Sequence, residues 1–186
     1  FNRQVGANMS TVGKPKAEVT RQQILDINPH ANVTVFPKGI DANNIKDFLK
    51  GVDIALDGID FFTFDTRLLF HQATHQEKIT TIVCAPAGFG AALHVFSPTS
   101  MSFTEYFSIN PKYSQTKNMI RFGIGLTPDL LQIKYFKPTD IDFLKNKAPS
   151  LGLSTTLCAA VVACEVVKII RQDKDRLGAP RYMHFD

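Results

Sequence analysis

The feature that most constrains this chain is a strand, loop, helix, strand succession in its first half. Residues 52–56 are mostly apolar, as a strand covered on both faces requires, and Asp57-Gly58-Ile59-Asp60 follows as a turn. Thr63 then stands where it can cap a helix running to residue 76, and 80–84 reads as the next strand. Two strands joined through a helix run parallel, so the succession predicts an α/β fold with helices covering the sheet. In open α/β sheets ligands bind beyond the carboxyl ends of the strands, which makes the 57–62 loop the first candidate for a site.

The same alternation extends toward the N-terminus. Pro15 suits the first turn of a helix, and Ala17, Ile24 and Ile27 recur at helical spacing until Asn28-Pro29 ends it, giving a helix over 15–27. Asn32-Val33-Thr34-Val35-Phe36 alternates in period two and predicts a strand, after which Asp41 can cap a helix to about residue 49. Beyond residue 97 the character changes. Pro98, Pro111, Pro128 and Pro138 break up an aromatic-rich stretch, so 97–150 reads as an irregular insertion or long crossover. Met101 to Phe107 could line a partner groove or belong to the core. Residues 153–171 are nearly all apolar over about five turns and predict a long core or interface helix.

Composition removes several function classes. The 186 residues, 44% hydrophobic, suffice for one globular domain with a real core. The net charge of +4 is scattered rather than gathered into a basic stripe with aromatics, which speaks against nucleic acid as a partner. The three cysteines, Cys84, Cys158 and Cys164, are odd in number, lie in apolar runs and form no pair at two-residue separation. They are expected to be reduced thiols of a cytoplasmic protein, buried and inert on the 153–171 helix. No apolar run is expected to reach a membrane span, and no signal sequence is visible. His71 and His75 share the spacing of a metal pair but lack companion ligands, and are expected to be exposed.

The residues that could carry chemistry are Arg3 and Gln4, Lys14 and Lys16 around Pro15, and Asp57 and Asp60 after a central strand. A helix N-terminus with nearby Lys and Arg suits a polyphosphate, and an aspartate beside it can hold a magnesium ion bridging phosphate oxygens. Singly, each has a plain structural explanation as a surface cation or a turn residue. Their order is what distinguishes them.

Asn2-Arg3-Gln4, Gly13-Lys14-Pro15-Lys16-Ala17-Glu18, Ile27-Asn28-Pro29, and Asp57-Gly58-Ile59-Asp60 followed by Arg67 together resemble the ThiF/MoeB/HesA family. This is the fold shared with the activating enzymes of ubiquitin and its relatives. The resemblance runs to about residue 90 and resumes in the 154–170 helix. It implies a Rossmann-like, mainly parallel sheet with helices on both faces, forming one activating-enzyme-type domain over 1–186. It implies ATP and magnesium as cofactors, adenylylation of a carboxylate at the C-terminus of a ubiquitin-like or sulfur-carrier protein or peptide, and a homodimer. By the same resemblance Arg3 contacts the phosphates, with Gln4 beside it in the motif, Lys16 lies near the phosphates, and Asp60 holds magnesium. Lys14 has no counterpart, and Asp57 ends the strand as a structural residue. The family's glycine-rich loop and ribose-holding acid are expected before Phe1, so this chain alone is expected to bind ATP weakly and to be inactive. Paired Cys-x-x-Cys zinc motifs are missing, and no structural zinc is expected. A catalytically inert partner subunit of the same fold is the alternative; a nicotinamide-dependent dehydrogenase has only the generic fold behind it.

Overall fold

The computed structural model describes residues 3–135, 137–143 and 145–186, so Phe1 and the Asn2 of the first motif lie outside the described residues. Among the described residues six α-helices, α1 (Lys16–Ile27), α2 (Ile45–Leu49), α3 (Phe64–Gln76), α4 (Phe103–Tyr106), α5 (Gln115–Leu126) and α6 (Gly152–Arg171), accompany four strands. The strands are β1 (Ile54–Asp57), β2 (Thr80–Ala87), β3 (Gly90–Phe96) and β4 (Tyr182–Phe185), and they lie side by side in that order.

The predicted β1–α3–β2 unit is present, with β1 and β2 parallel from Ile54↔Thr80 to Asp57↔Val83. The rest of the described sheet departs from the mainly parallel expectation: β2 pairs β3 antiparallel, and β3 pairs β4 antiparallel. The cause is local. Ala87 pairs with Gly90, leaving a two-residue connection, and Gly88 takes the positive φ of 58° that such a hairpin needs at its first position. Gly88-Phe89-Gly90 is thus a tight connection within the sheet.

Period-two alternation along β2 and β3 sorts the core to two faces. Ile82, Leu93 and Val95 face α6 and meet Val162, Val166 and Ile169. Val83 and Phe96 face the other way, into a cluster with Phe64, Phe103, Phe107, Met119, Phe122 and Leu126. Helices therefore cover both faces. The 97–150 stretch supplies most of that second cluster, and Met101 to Phe107 contributes core, with Phe103 and Phe107 buried. Within the stretch, α5 is a regular helix started by Ser114, whose hydroxyl accepts from Lys117 N.

Two further expectations change. Residues 32–36 alternate between exposed and half-buried up to Val35, but among the described residues they form no strand and pair with none. Asp41 accepts from Asn43 N and Asn44 N, so it closes a turn one step before α2 begins at Ile45. The long helix α6 also corrects the view that no run could span a membrane. It is 20 residues long, and by length and composition alone it is long and apolar enough to cross one. In this structure one of its faces lies on the sheet and holds a buried Glu165, which accepts from Leu177 N and pairs with Lys168.

Candidate functional site

β1 ends at Asp57, and the chain turns because its own carboxylate takes the next free donor: Ile59 N donates to Asp57 Oδ1 at 3.0 Å. Three residues on, Phe62 N donates to Asp60 Oδ1 at 3.0 Å and Thr63 N to the Asp60 carbonyl. Thr63 occupies the N-cap position of α3, without a side-chain cap bond. Asp60 is exposed, and among the described residues its Oδ2 accepts no hydrogen bond. The loop therefore presents one carboxylate oxygen to solvent just past the carboxyl end of the parallel strands.

Beneath it lies a buried ion group. Arg67, on the second turn of α3, donates from Nε to Asp57 Oδ2 at 2.8 Å, and His71 Nε2 lies 2.9 Å from the same oxygen. Burial by itself pushes the Asp57 carboxyl up, but the hydrogen bond from His71 and the charge of Arg67 outweigh it and hold it below the ordinary value. Burial also holds His71 below its ordinary value, more strongly than Asp57 raises it. Asp57 is thus ionised and His71 neutral, so Nε2 carries the proton and donates it. His71 is 3% exposed and stacks on Phe103 with ring centroids 3.9 Å apart. The expectation of an exposed helix residue holds for His75 and fails for His71. Asp57 has the structural role the resemblance gave it.

The N-terminal motif reaches the same end of the sheet through α6. Ser154 Oγ donates to the carbonyl of Gly88, just beyond β2, and Thr155 Oγ1 donates to the carbonyl of Arg3. Through these adjacent α6 residues the Arg3 backbone is tied to the carboxyl end of β2, and β2 runs parallel to β1, which ends at Asp57. Arg3, Gln4, Lys14 and Lys16 are all exposed. Lys16 is the first residue of α1, whose N-cap position is Pro15 with no side-chain cap bond, so the first-turn N–H groups stay open to an anion. Among the described residues no hydrogen bond or ion pair joins Arg3, Lys16 and Asp60 to one another.

This donor set fits magnesium in one specific sense. Among the described residues no group of three His, Cys, Asp or Glu side chains could hold a metal. Magnesium held by a single carboxylate, waters and substrate phosphates needs no such group. Cys84 is half-buried, and a hydrogen bond with Cys158, then burial, push its thiol up; Cys158 is buried, whereas Cys164 is exposed rather than buried as expected. The sequence reading named Arg67 without a role and misplaced His71. The spacing of ten and fourteen residues back to Asp57 is the signal it held, since both lie one turn apart on the inner face of α3.

The ThiF family profile matches residues 1–186. A probable molybdopterin-synthase adenylyltransferase of Pyropia yezoensis is 31% identical over 170 residues, which is 91% of this chain and 38% of that protein. An adenylyltransferase and sulfurtransferase UBA4 of Saccharomyces cerevisiae (strain YJM789) is 41% identical over 97 residues, 52% of this chain and 22% of that protein. The chain thus spans well under half the length of the curated relatives it matches. Among solved structures, E. coli MccB with MccA-N7isoASN superposes with a TM-score of 0.64 at 17% identity, covering 99% of this chain and 49% of that one. E. coli MccB with ATP gives 0.63 at 19% identity, covering 100% and 48%. These likenesses show the fold.

Proposed function

The chain belongs to the ThiF family, and on that footing we propose that it forms part of an enzyme that uses ATP to adenylylate a carboxylate. The acceptor is the C-terminus of a ubiquitin-like or sulfur-carrier protein or of a peptide, attacking the α-phosphorus with loss of pyrophosphate. The observation that carries the reading is the outward carboxylate of Asp60 at the carboxyl end of the parallel pair, on the side to which Thr155 ties Arg3. Adenylylating relatives and a neighbour solved with ATP support it.

Little covalent chemistry falls to the protein in such a transfer; its work is alignment and charge placement. Arg3 and Lys16, with Gln4 beside them and the open N–H groups of α1, would receive the phosphates. Asp60 would hold magnesium, which supplies charge neutralisation on the phosphate oxygens as pyrophosphate leaves. We place the reaction in the cytoplasm, by a homodimer, with no part for nucleic acid or a membrane. The outer face of α6, where Leu153, Val167 and Ile170 are 52%, 52% and 68% exposed, suits the dimer contact.

ATP–pyrophosphate exchange by the full-length protein that contains this chain, with sulfur-carrier proteins and free peptides as acceptors, tests the reading. Asp60→Ala is expected to lower magnesium-dependent exchange by on the order of 10²-fold or more, as loss of a placed charge does, without shifting thermal unfolding. Lys16→Ala is expected to raise the ATP requirement about tenfold, the loss of one charge-assisted hydrogen bond. Full exchange by Asp60→Ala would overturn the assignment, and no exchange with any acceptor would leave the inert-subunit alternative.

A further inference from the structure

Arg67 has more bonds than an ion-pair partner of Asp57 needs. Beyond the Nε contact to Asp57 Oδ2, Nη2 donates to the carbonyl of Ile59, and Nη1 donates to the carbonyls of Asp60 and Phe61 at 3.2 and 3.4 Å. Three consecutive carbonyls on either side of and at Asp60 therefore converge on one guanidinium that is 4% exposed. Drawing those carbonyls inward fixes the loop backbone with the Asp60 side chain outward, where Phe62 N pins Oδ1 and leaves Oδ2 open. Phe122 closes the arrangement from α5, its ring 4.6 Å from the guanidinium carbon and stacked on Phe61 at 5.8 Å.

We propose that Arg67 is a positioning residue: through the Ile59, Asp60 and Phe61 carbonyls its buried guanidinium holds the Asp60 carboxylate in the one orientation that binds magnesium with ATP. The proposal rests on the adenylylation reading. Asp57 is what allows it. Its ionised carboxylate balances the Arg67 charge, so the guanidinium acts on the loop as a rigid five-donor fork while Asp60 keeps its full attraction for a cation. A lysine at the same place retains the charge but not the planar fork, and cannot serve Asp57 and three carbonyls in fixed directions. The Arg67 contact on Phe122 also ties the loop to the 97–150 stretch, which gives that stretch a part in the site.

The test compares Arg67→Lys, Asp60→Ala and the double variant, with Asp57→Asn as a second disturbance of the same fork that keeps the guanidinium and its three carbonyl acceptors. Two readouts separate the claims. Hydrogen exchange at Phe62 N–H reports the Asp60 carboxylate directly. Arg67→Lys is expected to speed it at least tenfold while Leu93 and Val95 in β3 stay unchanged, and Asp57→Asn to speed it less. Manganese binding in the presence of ATP, followed by water-proton relaxation, is expected to weaken about tenfold in Arg67→Lys, the usual cost of losing a support behind a metal ligand. In the Asp60→Ala background the same substitution is expected to change metal binding by less than about twofold, because the two act as a unit. Unchanged Phe62 exchange, faster exchange everywhere alike, or equal metal losses with and without Asp60 would overturn the positioning role. These measurements use the full-length protein that contains this chain: absence of manganese–ATP binding by its unaltered form would instead sink the adenylylation reading, and Phe62 exchange would still decide whether Arg67 sets the Asp60 carboxylate.

Discussion

At the scale of single residues, the buried histidines show how far the fold bends ordinary chemistry. His94 is fully buried on β3, 2.9 Å from the Leu126 carbonyl through Nε2, while its Nδ1 has no partner among the described residues. Burial, opposed by the Leu126 bond and aided by nearby His184, lowers its pKa from 6.5 to about 4. Above pH 6.5 the imidazole is neutral in both folded and unfolded chains and costs nothing. As the pH falls from 6.5 toward 4 the unfolded chain takes a proton the folded one refuses, so stability drops, by on the order of 3 kcal/mol in full. His94→Gln, which can still donate to Leu126, is expected to flatten the pH dependence in that window. Urea unfolding at pH 7 and pH 4.5 checks this. The loss that remains should come from His71, lowered in the same direction, and at more acid pH from Asp57.

At the scale of elements, close approach is what distinguishes this sheet. A Cβ added to Gly90 would sit 1.8 Å from the Phe185 carbonyl, so β3 and β4 can pair at this end only because residue 90 has no side chain. Gly90→Ala is expected to cost about 3 kcal/mol, in the range of overpacked cores. Hydrogen exchange should show β4 amides losing protection before those of β1 and β2, and equal loss everywhere would contradict the reading. The elements that local pattern predicted best were those closed by nearby residues. α1 ends at Asn28-Pro29 and α3 begins after Thr63, as the sequence indicated. The 32–36 segment failed for the opposite reason. Its alternation is real, and Phe36 packs edge-on against Phe48 at 5.2 Å, but a strand exists only with a ladder partner, and among the described residues none pairs with it. α5 was missed because Gly123 and Gly125 weaken a helix that tertiary packing rewards: Phe61 and Phe107 lie over the two bare positions, and a Cβ at Gly125 would come within 2.6 Å of Phe107.

At the scale of the whole molecule, the exposed apolar residues of α6 bear on assembly. Val167→Glu with Ile170→Glu places charge on the outward face while leaving Val162, Val166 and Ile169 on the sheet. If the proposed homodimer forms through this face, the pair shifts sedimentation from dimer to monomer at micromolar concentration with the fold intact; a monomeric unaltered protein would overturn the proposed dimer, and an unchanged dimer would overturn this contact. The sequence by itself determined the β–loop–α–β unit, both covered faces of the sheet, and the ordered motif from Arg3 to Asp60, because each of these is written in short-range periodicity, capping or fixed spacing. Only the tertiary structure decided that the described sheet turns antiparallel after β2, that His71 is buried, and that Arg67 gathers three carbonyls around the Asp60 loop. Those outcomes depend on which distant side chains fill one volume and which buried donors find acceptors there, and no local pattern encodes such choices.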